Sequence, residues 1–150
     1  MKLTRAMQLL DGLGEVWPEL AAIDRVGEDT WLMALEDGTA MVAEWVDGPP
    51  RLVLSTPIGS PELDRRFVVY EAVLGLNALW RDTGGIRVAL SEPDGEMIVM
   101  LDLLSGDVTA QELQQKLADW CAQTRAWRDY LAVPTQQIAM PDPVLFQMRI

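Results

Sequence analysis

The chain has 150 residues, 49% of them apolar, with one cysteine, no histidine and a formal net charge of −11. That is one domain's worth of chain with enough apolar residues to build a core. No apolar run is long enough to cross a bilayer, the charge has the wrong sign for a phosphate backbone, and the lack of histidine excludes a Ser-His-Asp arrangement and the usual near-neutral base.

The first segment reads as a short helix, because Leu3, Met7, Leu10 and Leu13 recur at helical spacing. Gly12 and Gly14 are expected to end it, with Gly14 as a left-handed cap, and Pro18 prevents simple continuation. Gln8, Asp11 and Glu15 interrupt its apolar residues, so a secretory leader is not expected and the chain is read as cytoplasmic.

Three strand-like runs follow: Thr30 to Leu35, Thr39 to Val46 and Arg51 to Ile58. Asp37-Gly38 is a hairpin signal, and Asp47-Gly48-Pro49-Pro50 ends the second run. These short links suit antiparallel pairing. Residues 21–26 are compatible with one further short strand.

Ser60-Pro61-Glu62 predicts a helix start, and the helix is expected over 61–81. It carries two apolar stripes, one of Leu63, Phe67, Tyr70 and Leu74, the other of Val69, Val73, Leu76 and Trp80. That is wider than a single core contact needs. Gly84-Gly85 leads into a strand from Ile86 to Leu90, Pro93-Asp94-Gly95 turns the chain, and another strand runs from Glu96 to Leu103.

Thr109 and Glu112 form a capping-box pattern before the last helix, whose seam is Leu113, Leu117, Trp120, Thr124, Trp127 and Leu131. A domain is therefore expected over 1–133. The remaining 134–150 form a tail with three prolines and an apolar end, Val144 to Ile150.

Chemistry is hard to place on this chain. A single cysteine, Cys121, cannot build a thiolate zinc site and has no histidine to activate it, so it reads as a small buried residue. The acidic pairs Glu28-Asp29, Glu36-Asp37 and Asp94-Gly95-Glu96 lie at turns, where solvated acids are ordinary. Gly84-Gly85 follows a helix and precedes a strand, the reverse of a phosphate loop. No catalytic residue, metal or cofactor is expected.

Charge and apolar patterning say more. Between Asp11 and Asp47 ten residues are acidic and only Arg25 is basic. That face favours solubility or a basic partner segment. The strands also lack clean alternation. Trp31, Met33 and Leu35 oppose Leu32 and Ala34, and Met97, Val99 and Leu101 oppose Ile98 and Met100. Either both sheet faces are covered or one presents an apolar surface to a partner. Adaptable methionines at 33, 41, 97 and 100 suit the second reading.

The order of elements resembles the class I type III secretion chaperones, the CesT/Tir-chaperone-like family. The resemblance runs from about Leu3 to Leu131. It is carried by Leu13-Gly14, the Glu36-Asp37-Gly38 turn, Leu76-Asn77-Ala78-Leu79-Trp80 followed by Thr83-Gly84-Gly85, and Trp127-Arg128 in the last helix. Trp17-Pro18-Glu19-Leu20 matches only loosely, and the tail lies outside the match.

The resemblance implies an α+β fold with a twisted antiparallel sheet, order α-β-β-β-α-β-β-α, and a homodimer. It implies a non-enzymatic protein that binds the N-terminal segment of a secreted effector, keeps it extended and delivers it to the secretion apparatus. No nucleic acid and no membrane insertion are implied. Leu76, Leu79, Trp80, Ile86 and Val88 are the expected dimer contact. Leu10, Leu13, Trp31, Met33, Met41, Trp45 and Leu54 are the expected effector surface. Two other readings stay open: a regulator on the same scaffold that sequesters a transcriptional regulator or another chaperone, and a monomeric small-ligand or structural domain.

Overall fold

The computed structural model describes residues 2–93, 95–103 and 108–133. Helix α1 (Leu3–Val16) is followed by strands β1 (Leu20–Arg25), β2 (Thr30–Leu35), β3 (Ala40–Asp47) and β4 (Pro50–Gly59). Helix α2 (Arg66–Ala78), strands β5 (Arg87–Leu90) and β6 (Met97–Leu103), and helix α3 (Ala110–Ala132) complete it. The six strands form one antiparallel sheet in the order β1-β2-β3-β4-β6-β5. The fold is α+β as expected, with the short run at 21–26 joining the sheet as β1. The boundary expected at residue 133 and the tail from 134 to 150 lie outside the described residues.

Short-range chemistry sets the meander. Asp37 and Gly38 turn β2 into β3, Gly38 taking φ 84° and Asp37 Oδ1 accepting from the Thr39 N–H at 2.9 Å. Inward residues of every strand except β1 join one buried cluster: Trp31, Met33 and Leu35 from β2, Met41, Ala43 and Trp45 from β3, Leu52, Leu54 and Ile58 from β4, Val88 from β5, and Met97, Val99, Leu101 and Leu103 from β6. Each of the three helices contributes apolar residues to that same cluster, so they pack on one side of the sheet.

Helix α3 is the main cover. Its seam is buried along its length, Cys121 included. Its start is the expected capping box: Thr109 Oγ1 accepts from the Glu112 N–H at 3.2 Å, and Glu112 Oε2 accepts from the Thr109 N–H at 2.8 Å. Its arginines lock onto the sheet. Arg125 donates twice to Asp37 Oδ2, and Arg128 Nη2 donates to the Pro57 carbonyl at 2.7 Å.

Two helix boundaries differ from the sequence reading. Helix α1 runs through Gly12 and Gly14 to Val16, and neither glycine has a positive φ. A Cβ at Gly12 would lie 3.3 Å from the Ala110 Cβ, so this glycine serves the α1–α3 crossing rather than a cap. The end is set instead by Pro18, just past the C-cap Trp17. Helix α2 begins at Arg66, not at Pro61, and Ser60 does not cap it. The reason is Arg65. Its side chain turns inward, is almost fully buried, and donates to the carbonyls of Tyr130 (3.0 Å), Leu131 (3.2 Å) and Val133 at the end of α3. It also lies over the Tyr130 ring, 5.1 Å from the centroid. A cation thus satisfies the last carbonyls of one helix while starting the next.

Candidate functional site: an open sheet face and an uncovered helix stripe

Because the helices share one side, the other side of the sheet is the natural place to look for a site. Cross-strand register sets its rows. Asp24, Leu32, Val42, Ser55, Met100 and Arg87 stand side by side across all six strands. Beside this row lie Ala22, Ala34 and Ala40 on one half and Ile98 and Ala89 on the other. Leu32 is 44% exposed, while Val42, Val46, Ile98 and Met100 are half-buried. The face is shallow and apolar at its centre, with Asp24, Glu44, Arg87 and Asp102 around it. Asp102 is held by Arg87 at 2.7 Å and Arg51 at 3.4 Å.

Helix α2 offers a second surface. Val69, Val73 and Leu76 face the core. On its other stripe Phe67 is 78% exposed and Leu74 70%, with Leu63 at 79% in the turn before the helix, while Tyr70 packs partly against the core. Past the helix end Leu79 and Trp80 are about half exposed, with the Arg81 guanidinium 4.3 Å from the Trp80 ring centroid. Exposed large apolar side chains in a line are uncommon on a protomer that works alone. A shallow groove of about 570 Å³ opens beside Trp80, Gly84, Gly85, Arg87 and Asp102.

The structure separates the residues expected at the two surfaces. Of the expected dimer contact, Leu79 and Trp80 are exposed, whereas Leu76, Ile86 and Val88 are buried within the protomer. All seven residues expected to touch an effector are buried: Leu10, Leu13, Met33, Met41 and Leu54 completely, Trp31 and Trp45 nearly so. They fill the space between the sheet and the helices, and the strand residues on the open face are the neighbours of Trp31, Met33, Met41, Trp45 and Leu54 one position along. Leu63, Phe67 and Leu74 were visible in sequence as a second stripe, but not as the exposed one. Leu32 and Val42 were visible only as the smaller side of their alternations, and Ile98 and Met100 as one of two sides of similar size.

Burial pushes the Cys121 thiol up to about 11, so it stays protonated and inert. The Asp37 carboxyl is lowered to about 2, chiefly by the Thr39 N–H and hydroxyl and then by Arg125, and it serves the β2–β3 turn. Among the described residues no cluster of three or more carboxylates, histidines or cysteines could hold a metal. No helix among them is long and apolar enough to cross a membrane.

A family model for the Tir chaperone protein (CesT) family matches residues 34–128, more than half of the chain. The chain belongs to that family. It is a family of chaperone proteins. No curated protein sequence matches the chain. Solved structures match in fold. A chain of the HopA1–SchA chaperone–effector complex has TM-score 0.66 and 17% identity, covering 86% of this chain and 98% of that one. A chain of the ExsC–ExsE complex has TM-score 0.65 and 14% identity, covering 86% and 95%. A chain of the heterodimeric ExoU–SpcU complex, from the type III secretion system of Pseudomonas aeruginosa, has TM-score 0.61 and 13% identity, covering 83% and 96%.

Proposed function

We propose that this CesT-family chain is a type III secretion chaperone. It would act in the cytoplasm as a homodimer, hold the N-terminal segment of a secreted effector partly extended and soluble, and deliver it to the secretion apparatus. The observation that carries this reading is the pair of uncovered apolar surfaces on a protein of a chaperone family. Each surface has a separate use.

The exposed stripe of α2, Phe67 and Leu74 with Leu63, Leu79 and Trp80 at the helix ends, is the proposed dimer contact. Two copies of one stripe meeting about a two-fold axis bury it without any further protein. Of the residues read from sequence, Leu79 and Trp80 stay in this contact. The open sheet face around Leu32, Val42, Ile98 and Met100 is the proposed effector surface, in place of the buried set at Leu10, Leu13, Trp31, Met33, Met41, Trp45 and Leu54. An extended segment would pair with the β1 edge and lay apolar side chains across this face. The acidic first third, with Asp24, Glu28 and Asp29 near β1, favours a segment with basic residues.

The test is co-expression of the chain with the N-terminal segment of a candidate effector, followed by purification and mass measurement. A complex that protects the segment from proteolysis supports the reading. Leu32→Asp should abolish capture while leaving the dimer intact. A folded Leu32→Asp variant that captures the segment as well as the parent does would remove the open face from the site.

A further inference from the structure

The two edges of the sheet are unequal, and the difference lies at the junction between α2 and β5. In an antiparallel ladder alternate residues direct both backbone groups to the same side. Val88 stands opposite Val99 of β6, and its hydrogen bonds show that its N–H and C=O are directed outward, away from the sheet. Both are occupied. The Val88 N–H donates to Asn77 Oδ1 at 3.0 Å, and Asn77 Nδ2 donates to the Val88 carbonyl at 3.0 Å. A side-chain amide near the end of α2 stands where a neighbouring strand's peptide group would stand. One step earlier, the Ile86 N–H donates to the Thr83 carbonyl at 3.3 Å and Thr83 Oγ1 donates to the Ile86 carbonyl at 3.4 Å. Two consecutive outward positions, Ile86 and Val88, are thus closed from one short segment, which leaves Leu90 at the hairpin end. Gly84 and Gly85, at φ 65° and 87°, let that segment turn back on the strand. Beyond Leu90 the chain enters the hairpin, where the Ser91 N–H donates to the Glu96 carbonyl. The other edge, β1, is longer and presents Ala21, Ala22, Asp24 and Arg25 to solvent.

We propose that Asn77 and Thr83 are specificity residues of the sheet: they close the β5 edge to strand addition, so that a second copy cannot extend the sheet there and a partner's strand is directed to β1. The direction to β1 rests on the reading of the preceding subsection; the closure of β5 does not. An edge strand with bare N–H and C=O groups is a template for any passing strand. In a protein whose partner arrives extended, a second open edge would give two competing registers. The Asn-to-Thr-Gly-Gly stretch therefore has a negative role, to remove one docking line.

The experiment needs no effector, so its failure is distinct from failure of the chaperone reading. Backbone amide exchange is measured residue by residue for the parent chain, Asn77→Ala and Asn77→Asp. In Asn77→Ala the Val88 amide should exchange at least about tenfold faster, while amides of β4 and α3 change less than about twofold. In Asn77→Asp the carboxylate still accepts from Val88 N–H, so that amide stays close to the parent rate. A second readout places Ala89→Cys on each background. Mild oxidation should trap several-fold more cross-linked pairs with Asn77→Ala and Thr83→Val present than with Ala89→Cys alone, and an intermediate amount with Asn77→Asp. Uniform acceleration of exchange, an unchanged Val88 rate, or faster Val88 exchange without a gain in cross-linking would each overturn the proposal. The last result would make Asn77 a local clamp only. Should Asn77→Ala fail to fold, Asn77→Asp and Thr83→Val still decide the question through cross-linking.

Discussion

Helices α3 and α2 carry apolar residues on the same scaffold and use them in opposite ways. Along α3 every apolar seam residue is buried, from Leu113 to Leu131, and the polar side faces water. Along α2 only Val69, Val73 and Leu76 are buried, while Phe67 and Leu74, with Leu63 in the turn just before the helix, stand in solvent. The first is a helix whose energetics are complete within the chain. The second has a face that costs solubility until something covers it. The difference teaches that exposure, rather than hydrophobicity, separates a core helix from one with an uncovered face.

That comparison can be broken by substitution. The largest expected effect is on the private helix. Trp120→Ala removes a side chain with no exposed surface and should cost about 3–5 kcal/mol of unfolding free energy, measured by chemical denaturation. A smaller loss should follow Arg65→Met, about 2–3 kcal/mol, because the last carbonyls of α3 lose a buried charged donor. A loss below about 0.5 kcal/mol would show that Arg65 merely borders the helix end.

Phe67→Glu on α2 should behave differently. Protomer stability should move by less than about 0.5 kcal/mol, as for an exposed site, while the mass by light scattering falls from two chains to one. Global unfolding of Phe67→Glu would erase the contrast between the helices. The smallest effect concerns the Arg125–Asp37 pair, which is close to half exposed on both sides. The Asp37 carboxyl is lowered from 3.8 to about 2 on folding. Its contribution is therefore complete above about pH 4 and is lost as pH falls to about 2. Asp37→Asn should cost no more than about 1 kcal/mol at pH 7, and the gap between variant and parent should close toward pH 2 in acid titrations followed by circular dichroism.

How far the sequence revealed these features depends on whether the signal is local. The capping box at Thr109 and Glu112, the Asp37-Gly38 turn and the α3 seam are local, and each stands where its residues place it. Gly12 was misread because its reason is Ala110, a residue on another helix nearly a hundred positions away. Arg65 gave no signal, since nothing in Asp64-Arg65-Arg66 distinguishes an inward arginine from a solvated one. The sheet faces were half legible. Alternation groups Trp31 with Met33 and Leu35, and Leu32 with Ala34, but period two does not say which group faces the helices. Size does: the larger set, Trp31, Met33, Met41 and Trp45, fills the deep side, and the smaller set of Leu32, Ala34, Ala40 and Val42 is left for the open one.

The central claim is that both unpartnered surfaces are used at once, α2 by a second copy and the sheet face by an extended segment. The most direct measurement is the native mass of the chain co-purified with an effector's N-terminal segment, repeated with Phe67→Glu and with Leu32→Asp. The account predicts two chains with bound segment for the parent, a single chain for Phe67→Glu, and two chains without segment for Leu32→Asp. A monomer that binds no segment, or an assembly indifferent to both substitutions, would contradict it.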